Sequence, residues 1–213
     1  PVASIVGYTN AGKSSLLNAL TGADILAEDK LFATLDPTTR ELKLLSKQSI
    51  LLTDTVGFIR KLPHHLIEAF RSTLEEAKYA DMILHVVDAA NPQMDEQMHI
   101  VYETLRSLGI KDKPVITIFN KQDKEEAQQT VRDFQADYTV RISARTKEGL
   151  EELKEMIEAV LRGQKVLIEQ LYSYSEAAKL QLIRKYGELT AEEYREDGIF
   201  VSAYVPISIY GKV

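Results

Sequence analysis

The run Gly7-Tyr8-Thr9-Asn10-Ala11-Gly12-Lys13-Ser14-Ser15 constrains this chain more than any other segment. It fits Gly-x-x-x-x-Gly-Lys-[Ser/Thr], follows an apolar run at residues 2–6, and precedes a helical pattern carrying Leu16, Leu17, Ala19 and Leu20. A strand, a glycine-bounded turn and a helix in this order form a phosphate loop. Backbone N–H groups and a helix N-terminus converge on one point and hold an anion there. Asn10, Ala11, Gly12, Lys13, Ser14 and Ser15 are the candidate cradle. Lys13 is placed to reach the β- and γ-phosphates of a nucleoside triphosphate, and the Ser14 hydroxyl to ligate Mg²⁺.

A chain of 213 residues makes one large domain, or one domain with a small appendage. With 45% apolar and 27% charged residues it has the composition of a soluble globular protein with a real core. Its net charge of −6 gives no global sign of nucleic-acid affinity, so any RNA contact has to be local. No cysteine is present, which excludes disulfides and thiolate metal sites and fits a cytoplasmic location. No apolar run has the length of a membrane span, and peripheral membrane association stays open. The sequence opens at Pro1, almost on its first strand, which suggests an excised fragment.

Strand-like runs at residues 2–6, 49–53, 82–87, 115–119 and 138–142 alternate with helical patterns at 14–20, 66–78, 96–108, 125–134 and 149–161. This alternation predicts an α/β fold: a doubly wound, mainly parallel six-stranded sheet with helices on both faces. Residues 39–45, with Leu42 and Leu44 alternating with charge, read as a half-exposed edge strand antiparallel to 49–53. Residues 1–162 are expected to form the nucleotide-binding domain. Residues 163–213 are expected to form a small β-α-β-β, α+β domain, with Asp197-Gly198 as its hairpin turn. In an open sheet of this kind ligands sit beyond the carboxyl ends of the strands, which is where the Gly7 loop lies.

Two further motifs fall at strand ends. Asp54-Thr55-Val56-Gly57 follows Ile50-Leu51-Leu52. Its carboxylate is placed to hold Mg²⁺ through water, and the Gly57 amide to meet the γ-phosphate where a side chain would obstruct. Asn120-Lys121-Gln122-Asp123 follows residues 115–119. The Asp123 carboxylate can accept from N1–H and N2–H₂ of guanine, a donor pair that adenine lacks. A site built on such bonds rejects the wrong analogue by roughly 10⁴–10⁵. Asn120 is expected to tie loops together and the Lys121 stem to cover the base. Ser143 and Ala144, followed by Arg145, are expected to offer a backbone N–H to guanine O6.

With these motifs in this order, the chain resembles the GTPases of the translation-factor superfamily. Residues Leu31-Phe32-Ala33-Thr34-Leu35-Asp36-Pro37-Thr38, and Asp54-Thr55-Val56-Gly57-Phe58-Ile59-Arg60-Lys61-Leu62-Pro63, resemble the HflX family, related to Obg. The resemblance covers the whole chain, tail included. It implies a G domain that binds GTP and GDP with Mg²⁺ and engages the large ribosomal subunit; the chain is expected to be a monomer. It further implies splitting or rescue of stalled ribosomes under stress. The family also has an N-terminal domain and a glycine-rich basic linker that this sequence does not contain, so ribosome binding is expected to be weakened.

Under the resemblance the first switch spans residues 24–38, and Thr34 ligates Mg²⁺ and senses the γ-phosphate, with Thr38 and Thr39 as alternatives. The expected catalytic set is thus Lys13, Thr34 and Gly57. Phe58 stands where related enzymes carry a water-orienting glutamine, so intrinsic hydrolysis is expected to be slow. A switch that controls a protein or RNA partner without hydrolysis as its output remains the alternative. Asn10 resembles the asparagine that coordinates K⁺ in potassium-activated relatives, against an equal expectation that it merely stabilises the loop. His85 is expected to be a hydrogen-bonded core histidine and His99 to lie on a helix surface. His64 and His65, with Arg60 and Lys61, are expected on a solvated loop. The six tail tyrosines, Tyr172, Tyr174, Tyr186, Tyr194, Tyr204 and Tyr210, are expected to fill a small core or interface rather than stack on RNA.

Overall fold

A computed structural model describes residues 1–22, 38–46, 48–55, 57–58, 67–127 and 131–213. It divides into two compact units, Pro1–Glu158 and Ala159–Val213.

In the first unit six strands, β1 (Val2–Gly7), β2 (Thr38–Lys43), β3 (Ser49–Asp54), β4 (Met82–Asp88), β5 (Val115–Asn120) and β6 (Tyr138–Arg141), form one sheet in the order β2-β3-β1-β4-β5-β6. All neighbours run parallel except β2 and β3, paired antiparallel with Leu42 opposite Ile50. Consecutive residues of β1 and β4 are buried, as expected for strands covered on both faces. The intervening helices are α1 (Lys13–Thr21), α2 (Ile67–Tyr79), α3 (Met94–Ser107) and α4 (Leu150–Gly163), the last crossing from one unit to the next. Val6 and Ile83 of the sheet pack with Leu74 and Ala77 of α2 and Val101 and Leu105 of α3. Edge strand β2 keeps Leu42 buried and turns Arg40, Glu41 and Lys43 to solvent, the half-exposed pattern its sequence shows.

The helix expected over residues 125–134 is not formed among the described residues there, which are turns and irregular backbone. Asp133 supplies the reason. Its Oδ1 accepts the Gln135 N–H at 2.9 Å, while Oδ2 accepts the hydroxyls of Tyr102 at 2.5 Å and Thr117 at 2.6 Å. Short acidic side chains that bond locally compete with helical backbone.

His85 occupies the core as expected, 1% exposed, but it is not the hydrogen-bonded histidine the sequence suggests. Its Nδ1 has no hydrogen-bond partner among the described residues, and its ring meets Tyr102 edge-on at 5.1 Å. The Tyr102 hydroxyl is committed to Asp133 and does not serve the imidazole. Burial lowers the His85 pKa to about 4, only partly opposed by the Asp133 charge. The unfolded imidazole titrates near 6.5, so between these values the unfolded chain binds the extra proton. His85 therefore withholds nothing from stability above pH 6.5, and by pH 4 it costs about 3 kcal/mol. In urea unfolding at pH 7 and pH 4, His85→Phe should lose less stability than the wild type by that amount; equal losses would show that His85 is not the sensitive group. His99 lies exposed on α3, 3.3 Å from Glu103. His64, His65, Arg60 and Lys61 lie outside the described residues.

The second unit contains β7 (Lys165–Tyr172), a short 3₁₀ turn (Tyr174–Glu176), α5 (Ala177–Tyr186), β8 (Glu188–Arg195), β9 (Gly198–Pro206) and α6 (Ile207–Tyr210). The antiparallel sheet has the order β7-β9-β8. Its core is aliphatic: Ile168, Leu180, Ile183, Ile199, Val201 and Val205, closed by Tyr172. Of the two places expected for the tail tyrosines, a small core or an interface, the core takes in only Tyr172. Tyr172 is buried, but Tyr174, Tyr186, Tyr194, Tyr204 and Tyr210 are exposed. Alternate residues of β9 supply the buried face, and Tyr204 falls on the other register. Among the described residues no helix is long and apolar enough to cross a membrane.

Candidate functional site

Four strands of the first unit end on residues that carry chemistry: Gly7 on β1, Asp54 on β3, Asp88 on β4 and Asn120 on β5. Parallel strands bring these ends to one edge of the sheet.

The phosphate loop leaves β1 at Gly7 and reaches α1 through two left-handed residues, Asn10 (φ 62°) and Gly12 (φ 100°). The Ala11 N–H closes a turn on the Tyr8 carbonyl at 3.1 Å, and the Leu16 N–H bonds the Gly12 carbonyl at 2.9 Å. The amides of the first turn of α1, including Lys13, Ser14 and Ser15, have no intrahelical acceptor. No acidic residue stands in that turn to compete with an incoming anion. Lys13 is 8% exposed, and burial lowers its pKa while the Asp54 charge works in the opposite direction. A buried ammonium at a helix N-terminus gains from a bound phosphate.

Asp54 lies beside this loop. The Ser14 hydroxyl donates to its Oδ2 at 3.0 Å. Among the described residues no three His, Asp or Glu side chains meet as a metal cage. Mg²⁺ keeps several waters and takes one or two protein ligands plus phosphate oxygens, and the Ser14–Asp54 pair fits that demand. Thr55 is tied down by its hydroxyl, which donates to the Ile5 carbonyl at 2.7 Å. Gly57 then passes so close to the loop that an added Cβ would lie 2.9 Å from Thr9 Cα and 3.1 Å from Lys13 Nζ. Only glycine leaves room there for an oxygen as well. Phe58 clamps the crossing: its N–H donates to the Gly7 carbonyl at 2.9 Å and its carbonyl accepts the Thr9 N–H at 2.8 Å. Its ring is fully buried among Val6, Leu74, Ala77 and Ile83. The Phe58 side chain is thus a core anchor. Thr34 lies outside the described residues, and the side chain of Thr38 is likewise not described.

The second half of the site is the loop after β5. Asn120 Nδ2 donates to the Ala11 carbonyl at 3.0 Å, and its Oδ1 accepts the Ala144 N–H at 3.0 Å. One side chain thereby joins the phosphate loop, the β5 end and the segment after β6. Lys121 (φ 67°) folds back so that Nζ donates to the Asn10 carbonyl at 2.8 Å and meets Asp88 Oδ2 at 2.7 Å. Ser143 Oγ donates to Asp123 Oδ1 at 2.7 Å and accepts the Thr146 N–H at 3.1 Å. That hydrogen bond is the main cause of a lowered Asp123 pKa, which keeps the carboxylate ionised and acceptor-only. Arg145 Nη1 stands 3.7 Å from Asp123 Oδ2. The Ser143 N–H is committed to the Glu148 carbonyl at 3.1 Å, and the Ala144 N–H to Asn120. An O6 contact from Ala144 therefore requires that this amide be shared with Asn120 or released by it.

Sequence reasoning placed every described member of this set at the same sheet edge and missed Asp88. The signal was a carboxylate closing the apolar run at 82–87, as Asp54 closes its own.

A family described as 50S ribosome-binding GTPase matches residues 2–121, more than half of the chain. The chain belongs to that family. A GTPase HflX of Lacrimispora saccharolytica is 68% identical over 213 residues, which is 100% of this chain and 50% of the relative. A GTPase HflX of Caldanaerobacter subterraneus subsp. tengcongensis is 49% identical over 209 residues, 98% of this chain and 48% of the relative. The chain thus spans about half the length of the curated relatives it matches. Among solved structures, a GTP-binding protein from Sulfolobus solfataricus in complex with GDP is 31% identical with a TM-score of 0.62, over 75% of this chain and 52% of that one.

Proposed function

We propose that this chain binds GTP and GDP with Mg²⁺, hydrolyses GTP slowly, and serves as a switch on the large ribosomal subunit. The observation that carries the proposal is the wiring of the sheet edge: Asn120 and Lys121 bond to the backbone of the phosphate loop, while Asp123 is held ionised beside them. This wiring supports a reading in which a phosphate cradle and an acceptor for the guanine edge share one frame. The similarity to proteins named GTPase HflX, and to a family described as ribosome-binding, supports the ribosomal part.

In this proposal the amides of residues 10–15 and Lys13 bind the β- and γ-phosphates. Ser14, Asp54 and Thr34 hold Mg²⁺, which supplies neutralising charge to the phosphates when bound. The Gly57 amide senses the γ-phosphate. Asp123 reads guanine, flanked by Ser143, Ala144 and Arg145, and the Lys121 stem covers the base. Phe58 offers no hydrogen bond to water, so turnover depends on what else enters the site. The protein acts as a cytoplasmic monomer and contributes to splitting or rescue of stalled ribosomes. GTP turnover measured with and without large ribosomal subunits tests this: stimulation of at least tenfold is expected, and no change would count against the ribosomal assignment.

Asn10 is proposed to face a K⁺ ion beside the phosphates, adding positive charge where other enzymes insert an arginine. Its left-handed backbone fits an asparagine in either role, since asparagine tolerates this conformation. Turnover several-fold faster in KCl than in NaCl, lost in Asn10→Ala, is the expected result. Equal rates in the two salts would assign Asn10 to the loop alone.

A further inference from the structure

We infer that Asp88 is a positioning residue for nucleotide binding, acting through Lys121 to lock the base-binding loop onto the phosphate loop. Nothing in the phosphate-loop, Asp54–Gly57 or Asn120–Asp123 motifs includes it. Asp88 ends β4, directly opposite Asn120 in the β4–β5 register. Its two oxygens have separate tasks. Oδ1 accepts the Ala90 N–H at 3.0 Å, fixing the carboxylate's rotamer, and Oδ2 receives the Lys121 ammonium at 2.7 Å. The backbone reinforces the placement, because the Ala89 N–H donates to the Asn120 carbonyl at 3.1 Å.

The ion pair is largely sheltered, with side chains 24% and 12% exposed, so solvent screening does not dissolve it as it does a surface pair. The same ammonium also donates to the Asn10 carbonyl, so Asp88, Lys121 and the phosphate loop form one chain of contacts. Lys121 holds a left-handed backbone that is disfavoured for a lysine, and its far end is fastened at two points. Removing the carboxylate leaves a half-buried ammonium with one neutral acceptor. The ammonium then turns to solvent, and the aliphatic stem leaves the place where it would cover a base. Asp88 touches neither base nor phosphate in this scheme, so it sets affinity and leaves base choice to Asp123.

This inference rests on the guanine-nucleotide proposal, and its test separates the two. Lysine acetylation followed by mass spectrometry, on nucleotide-free protein, reads the Lys121 ammonium directly. Asp88→Asn should raise the Lys121 labelling rate several-fold and leave that of Lys154 unchanged. GDP titration in Mg²⁺ follows, on wild type, Asp88→Asn, Lys121→Met and the double variant. Each single change should weaken GDP about tenfold, and the double variant should be no weaker than the worse single one, since both cut the same link. The preference for GDP over inosine diphosphate should stay within twofold of wild type. Unchanged labelling in Asp88→Asn, or two losses that multiply, would overturn the positioning role. Wild-type protein that fails to bind GDP would overturn the parent proposal, and with it this one, whatever the labelling shows.

Discussion

Asp123→Asn is expected to weaken GDP binding by roughly 10⁴-fold and to raise affinity for xanthosine diphosphate. The ionised carboxylate is acceptor-only, and the Ser143 hydroxyl at 2.7 Å favours that form. Guanine presents two donors to it. An amide places its own NH₂ against one of them, leaving buried donors facing each other. Xanthine carries an oxygen where guanine carries the amino group, so the amide meets an acceptor again. Competition binding with the diphosphates of guanosine, xanthosine and adenosine reads the exchange. A uniform loss across all three bases would mean that the substitution damaged the loop rather than its selectivity.

Gly12→Ala should weaken nucleotide binding severely for a different reason. At φ 100° the new Cβ would be strained, and it would lie 2.3 Å from Asn120 Nδ2. Asn120 is the side chain that bonds both Ala11 and Ala144, so displacing it opens the phosphate loop and the base loop together. A stability loss of about 1–3 kcal/mol is expected, with GDP affinity down by at least about a hundredfold. Gly22→Ala is the matched control. Gly22 also has a positive φ, 68°, but a Cβ there meets nothing within 4 Å among the described residues. It should cost about 1–2 kcal/mol and leave GDP affinity within about twofold of wild type. Chemical denaturation and titration of both variants separate backbone strain from loss of the site.

Much of this was legible in the sequence because parallel strands turn sequence order into spatial order. Apolar runs that end in Gly7, Asp54 and Asn120 predict a common edge, and the antiparallel edge strand β2 follows from spacing and alternation, whereas the strand order comes from pairings between distant residues. What escaped depends on contacts between residues far apart in the chain. The local pattern at residues 125–134 favours a helix, yet Asp133 is drawn into bonds with Tyr102 and Thr117. The tail tyrosines look like core or interface material by composition, whereas strand register turns Tyr204 outward and leaves the core to aliphatic residues and Tyr172. Asp88 belongs to no motif, and its meaning appears only when Lys121 folds back across the strand ends. Phe58 is legible as a missing glutamine, but its burial as a clamp between Gly7 and Thr9 depends on contacts between strands far apart in the chain.

The central claim is that one sheet edge joins a phosphate cradle to a guanine-reading carboxylate. Equilibrium titration of the protein with GDP, GTP and ATP in Mg²⁺ tests it most directly. GDP and GTP should bind tightly and ATP weaker by roughly 10⁴-fold, the scale set by a hydrogen-bonded site facing the wrong base. ATP binding as tight as GTP would contradict the assignment of Asp123 and, with it, the guanine-nucleotide switch.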